Sequence, residues 1–194
     1  MTQLIPPPSA LSEDELLRLQ QEAGIEFVNG QILEKPVSKE SSRVAAQIIF
    51  LLQSHVRKAG NAEIYDCSLG YQCFPEEPAR FRKPDVSAIL VERLKPLESD
   101  PGLMPIPADL VVEVISPGDK ADEVAEKVEE YLANGFKLVW VVHPNTRTVV
   151  IHRDDGSIAK LHEKDQITGE SVLPDFNCNV SEFFTHPQLS TTSP

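Results

Sequence analysis

Apolar residues recur along this chain with two periods, and the period changes from stretch to stretch. In SKESSRVAAQIIFLLQSHVRKAG, Val44, Ile48, Leu51, Leu52 and Val56 fall on one helical face and Gly60 ends the pattern, which predicts a core-facing helix. DKADEVAEKVEEYLANG repeats the signature with Ala121, Val124, Val128 and Leu132, and stops at Gly135. LSEDELLRLQQEAG predicts a smaller, peripheral helix, with Ser12 and Glu15 as a capping box and Gly24 as its end.

Strand signals lie between these helices. IEFVNGQILEK alternates on either side of Asn29-Gly30, a dipeptide suited to the tight turn of a β-hairpin, so strands are expected at about 25–28 and 31–35. Residues 63–74 predict one or two strands, and KPDVSAILVE predicts another, with Pro84 tolerable only at its start. DLVVEVISPGD predicts a strand at about 109–115 whose continuous apolar positions suit burial on both faces. KLVWVV, the turn HPNTR and TVVIHR predict a second hairpin, and Asp155-Gly156 turns the chain into SIAKLHE. The proline-rich stretch 92–107 reads as a long surface loop. SPGD reads as a helix start, with Ser116 as N-cap, Pro117 at the first helical position and Asp119 completing a capping box.

Strand, helix, strand order across residues 109–142, set among hairpins, predicts the α/β (α+β) class: a central mixed β-sheet flanked by helices, with N-terminal and C-terminal β-hairpins. With 194 residues, 41% of them hydrophobic, one domain over residues 11–184 is expected between a flexible N-terminal segment (1–10) and a flexible tail (185–194). No apolar run approaches the roughly 20 residues that cross a bilayer, and MTQLIPPPSA lacks the basic and apolar regions of a secretory signal, so a cytoplasmic protein without a membrane partner is expected. Cys67, Cys73 and Cys178 show no CxxC or metal-ligand spacing and read as free thiols, and the dispersed His55, His143, His152 and His162 read as turn or surface residues. The net charge of -12 argues against a general nucleic-acid binder, so any DNA contact must rely on a local basic patch, for which Arg80, Arg82 and Lys83 are the candidates.

Glu113 breaks the apolar run of its strand, and an unpaired carboxylate there costs several kcal/mol. It needs a compensating partner. Asp85 opens the preceding predicted strand, so pairing of the two strands would bring two carboxylates together, and like charges that close repel unless a cation neutralises them. A hard divalent ion, Mg²⁺ or Mn²⁺, suits such oxygens, with the backbone carbonyl of Val114 helping to complete the shell. On the helix over 121–134, at about 100° per residue, Lys127 is the charged residue closest to the apolar stripe, while Glu123, Glu126 and Glu130 sit farther out. Its ammonium either snorkels to solvent or leans over the carboxylates.

KPDVSAILV, DLVVEVISP and the helix EKVEEYLANG followed by LVWVVHPNTRTV, in that order, resemble the PD-(D/E)xK nuclease superfamily, and within it the Uma-two family of restriction-endonuclease-like proteins. The similarity runs from the FVNG hairpin to about Phe184. It implies a restriction-endonuclease-like core in which Asp85 and Glu113 hold a divalent metal. Ile115 stands where the superfamily's lysine usually stands, and the resemblance points to Lys127, on the following helix, instead. It also matches Glu40 to a further acidic site residue, although relatives often carry a histidine where Ser41 stands. The activity implied is metal-dependent endonucleolytic hydrolysis of DNA by a homodimer. A catalytically silent binding or regulatory protein and a small-nucleotide phosphohydrolase fit the same residues as alternatives.

Overall fold

The computed structural model describes residues 13–22, 24–97 and 102–185. The expected N-terminal segment, the cap residue Ser12 and residues 186–194 of the expected tail lie outside that range. The chain opens with α1 (Glu13–Gln21) and an antiparallel hairpin of β1 (Ile25–Val28) and β2 (Gln31–Glu34). Asn29 and Gly30 both take positive φ, 50° and 72°, the left-handed turn whose twist matches that of the strands. The Glu77 carboxylate accepts the N–H groups of Asn29 and Gly30, and a bridge between Phe27 and Phe81 ties the hairpin to the segment that leads into the strand at Val86–Leu90.

α2 (Lys39–Ala59) starts at Ser38, whose hydroxyl accepts the Ser41 N–H, and ends at Gly60 in the left-handed conformation. Its expected stripe is the one that packs: Val44, Ile48, Leu52 and Val56 are buried. Then β3 (Ala62–Asp66), β4 (Val86–Leu90), β5 (Leu110–Val114), β6 (Leu138–His143), β7 (Thr148–Arg153) and β8 (Ile158–His162) form one six-stranded sheet in chain order. Only β5 and β6 run parallel, joined by α4 (Ala121–Ala133), so the sheet is mixed as expected. A single strand forms within 63–74, and the short helix α3 (Val91–Leu94) opens the proline-rich stretch. The carboxylate of Asp119 accepts the Ser116 N–H at 2.6 Å, but α4 begins only at Ala121, so SPGD is a closed turn ahead of the helix rather than its cap. The C-terminal hairpin is β9 (Gln166–Gly169) with β10 (Leu173–Asn179), followed by a 3-10 turn over Val180–Phe184. Among the described residues no helix is long and apolar enough to cross a membrane, and the three cysteines are free.

The sheet has a core on each face. Val86, Ala88, Leu110, Val112, Val114 and Trp140 pack toward α2 and the C-terminal aromatic residues Phe183 and Phe184. Ile89, Val111, Val139 and Val141 pack toward Val128 and Tyr131 of α4. All five residues of β5 are buried, which is why its sequence shows no polar alternation. Burying each such aliphatic side chain contributes roughly 1.5–3 kcal/mol, so both layers hold the strand in register. That register decides where the charges go. Val86 pairs with Val112, and one step further along the two antiparallel strands Asp85 comes opposite Glu113. Both share parity with residues of the α4 face, Ile89 and Val111, so both carboxylates belong to that layer.

Candidate active site

A cleft of about 980 Å³ opens between the β1–β2 hairpin, the mouth of β4 and β5, and α4. At its base the two expected carboxylates meet a shared cation, and the cation is a side chain. The Lys35 ammonium, just past the end of β2, lies 2.8 Å from Asp85 Oδ1, 3.2 Å from Glu113 Oε2 and 2.7 Å from the Lys83 carbonyl oxygen. The Val114 N–H donates to Asp85 Oδ2 at 2.7 Å. On the other side of Glu113, Oε1 accepts the Tyr131 hydroxyl at 2.8 Å and lies 3.1 Å from the Lys127 ammonium. Lys127 and Tyr131 are four residues apart on α4, which puts both on the face turned to the sheet.

Behind this pair lies a second buried layer of charge. Glu26 is 2% exposed, and its Oε1 lies 2.9 Å from the Lys127 ammonium and accepts the Lys83 N–H at 3.0 Å. Arg82 bridges Glu26 Oε2 at 3.0 Å and Glu130 Oε2 at 2.6 Å. Four carboxylates, Asp85, Glu113, Glu26 and Glu130, therefore interleave with Lys35, Lys127, Arg82 and Arg80, and each carboxylate of the cluster has a cation within 3.2 Å. Burial alone would depress the Lys35 pKa, but Glu113, Asp85 and Glu26 outweigh it and hold the group above its ordinary value, fully protonated. Burial, Glu113 and Glu26 all raise the Tyr131 phenol well above its usual range, so it acts as an O–H donor to Glu113.

Glu26 carries a pH signature. Burial pushes its pKa up, yet Lys127, Lys35 and Arg82 together bring it from 4.5 down to about 2. Because the folded value lies below the unfolded one, the stability it contributes is complete above pH 4.5 and is lost as pH falls toward 2. Glu26→Gln is expected to lower stability at neutral pH while flattening the acid limb across that window by about one proton. Urea titrations at successive pH values check this, and an unchanged slope would remove Glu26 as the titrating group.

The structure thus brings Asp85, Glu113 and Lys127 together and leaves Glu40 apart. Glu40 sits in the first turn of α2, paired with Arg43 at 2.6 Å, and does not line the cleft. The three residues of the expected basic patch are engaged within the protein. Arg82 is buried between Glu26 and Glu130, and Lys83, 1% exposed, donates to the carbonyl oxygens of Gln20 and Glu22. Arg80 is paired with Glu77 and Glu130. These cations hold the hairpin and α4 onto the sheet, and none offers an unpaired head to a phosphate. Lys127 does not snorkel, and Glu130, expected farther out, turns in to Arg82. Glu26 and Lys35 escaped the sequence reading. Glu26 stands at the polar position of an alternating strand, where solvent is the ordinary destination, and the one signal available was the need of Glu113 for a cation.

The family model described as "Putative restriction endonuclease", Uma2, matches residues 13–181. The chain belongs to the Uma2 family. Membership makes its function nuclease-like at the level of the family. A crystal structure titled as a "putative nuclease belonging to DUF820" from Anabaena variabilis is similar to it, with a TM-score of 0.76 and 19% identity, covering 90% of this chain and 97% of the other. At that identity the likeness establishes the fold, a mixed sheet flanked by helices. No curated protein matches the chain.

In this Uma2 protein the donor chemistry fits a hard divalent ion. Asp85 Oδ1, Glu113 Oε2 and the Lys83 carbonyl oxygen already converge on one positive centre. Among the described residues no cluster of three His, Cys, Asp or Glu side chains is disposed to hold a metal. Mg²⁺ does not demand one, because it commonly binds through one or two carboxylates and keeps several waters.

Proposed function

We propose that this chain is a metal-dependent nuclease that hydrolyses phosphodiester bonds in DNA, acting through one nuclease domain over residues 11–184. The observation that carries the reading is the meeting of Asp85 and Glu113, from adjacent antiparallel strands, around a single cation at the base of an open cleft. Asp85 and Glu113 would hold Mg²⁺ or Mn²⁺, with the Val114 carbonyl on the strand edge that carries its N–H. The ion supplies a polarised phosphate and a bound water of lowered pKa. The chain's own residues position its ligands. Tyr131 and Lys127 fix the rotamer of Glu113 through Oε1, and Glu26 anchors Lys127 in turn. Lys127 is therefore a positioning residue here, one step removed from substrate. Cutting both strands of a duplex needs two such sites, so the reading includes a homodimer, acting in the cytoplasm.

One observation favours a second reading, a catalytically silent binding or regulatory protein. The cluster is compensated without any metal, and carboxylates outnumber cations along the cleft walls, which repels a polyanion. Incubating the purified protein with supercoiled plasmid in Mn²⁺ or Mg²⁺, and in EDTA, separates the two. Nicked circles in metal and none in EDTA are the expected result. Nicking that persists in EDTA overturns the metal role, and the absence of nicking in every metal favours the silent protein. Phosphate release from nucleotides with no effect on plasmid would move the substrate to small phosphate esters.

A further inference from the structure

Each carboxylate at the base of the cleft has one oxygen held by fixed protein donors and one held by Lys35. Asp85 Oδ2 takes the Val114 N–H, whereas Oδ1 takes Lys35. Glu113 Oε1 takes Tyr131 and Lys127, whereas Oε2 takes Lys35. The Lys83 carbonyl oxygen is the third contact of the same ammonium. Three hard oxygens from three separate residues thus surround one point, and the group at that point belongs to a flexible side chain. We propose that Lys35 is the resident cation of this site: its ammonium fills the cradle of Asp85 Oδ1, Glu113 Oε2 and the Lys83 carbonyl that a divalent ion takes on loading, so metal binds by exchange for the lysine head.

The inference rests on the metal-dependent reading above and adds to it one further ligand, the Lys83 carbonyl oxygen, and a competitor. The exchange follows from occupancy, since the Lys35 nitrogen already stands where these three oxygens converge, and a divalent ion in contact with an ammonium in a partly desolvated site would be strongly repelled. Of the two lysines on Glu113, Lys35 is the one free to leave. Lys127 is held from behind by Glu26, which is itself fixed by Arg82 and the Lys83 N–H. Lys35 lines the open cleft, and its backbone N–H is pinned to the Gly24 carbonyl oxygen, so withdrawal is a side-chain rotation that leaves the hairpin in place. Replacing one positive charge by two, with the ammonium still tethered at the wall, also offsets the acidity of the cleft and makes it more receptive to phosphate.

Isothermal titration of MnCl₂ into the wild type, Lys35→Met and Glu113→Gln proteins tests this, with thermal melts in EDTA and in Mn²⁺ alongside. Lys35→Met is expected to bind Mn²⁺ at least about tenfold more tightly than the wild type, because no ammonium has to leave. It should melt lower in EDTA, where two carboxylates face each other without a cation, and recover in Mn²⁺ by more than the wild type gains. Glu113→Gln should lose binding. If the wild type binds Mn²⁺ and Lys35→Met binds it no more tightly, the exchange is wrong while the metal reading stands. If folded wild type and folded Lys35→Met both fail to bind, the metal reading falls and takes the exchange with it. Should Lys35→Met not fold, Lys35→Gln carries the same expectation, and an affinity equal to the wild type's overturns it.

Discussion

Asp85→Ala is expected to lower metal-dependent plasmid nicking by roughly 10²–10³-fold or more, the scale on which a preorganised charge at a reacting centre is lost. The change removes one of two carboxylates on the metal and leaves Glu113 with all its other partners. Its structural cost is small by comparison. Asp85 stands at the mouth of β4, its side chain 21% exposed, and the Val114 N–H it releases can turn to water in the cleft. Glu113→Gln should reduce nicking as strongly while keeping an acceptor for the Tyr131 hydroxyl. Circular dichroism and melting temperature, measured beside the nicking rate, separate lost chemistry from lost fold. A folded Asp85→Ala protein that nicks at the wild-type rate would remove Asp85 from the reaction.

Arg82→Ala is expected to be the most damaging change to stability at the site, costing about 3–5 kcal/mol and lowering the melting temperature by roughly 10 °C. Arg82 is the shared counter-ion of Glu26 and Glu130, whose side chains are 3% and 12% exposed, so its removal leaves each of these desolvated carboxylates one cation short, Glu26 with Lys127 alone and Glu130 with Arg80 alone. The loss extends beyond one ion pair, because these contacts join the β1 strand to α4 across the cleft. If uncompensated charge is the cause, Arg82→Met combined with Glu26→Gln and Glu130→Met should recover a large part of what Arg82→Ala loses. Thermal melts of the single and combined variants decide this. A combined variant no more stable than Arg82→Ala would mean that the guanidinium matters through packing and geometry, and that charge balance is secondary.

The parts of the fold legible in the chain are those whose cause is local. Asn29-Gly30 made the hairpin because few residues other than these accept two successive positive φ values. The stripe from Val44 to Val56 made α2 because a helix repeats its face every three to four residues. Glu113 within an apolar run announced a buried charge that needs a cation, and Asp85 at the head of the neighbouring strand offered the second carboxylate. SPGD misled because a turn and a helix cap use the same side-chain-to-backbone bond, and only the backbone beyond Asp119 distinguishes them.

Sequence by itself determined most of the elements and the two-faced burial of β5, since periodicity and capping act along short stretches of chain; it offered the pairing that sets Asp85 against Glu113 only as a condition, which the sheet register then met. Only the tertiary structure decided which charges meet. Lys35, at the end of a hairpin that forms a separate sheet, reaches Glu113 across 78 residues and Asp85 across 50, and Arg82, ahead of β4, reaches Glu26 in that hairpin across 56. No periodicity encodes such contacts. They follow from how the hairpin and α4 dock onto the sheet, where desolvation makes each buried carboxylate take whichever cation the packing brings within reach.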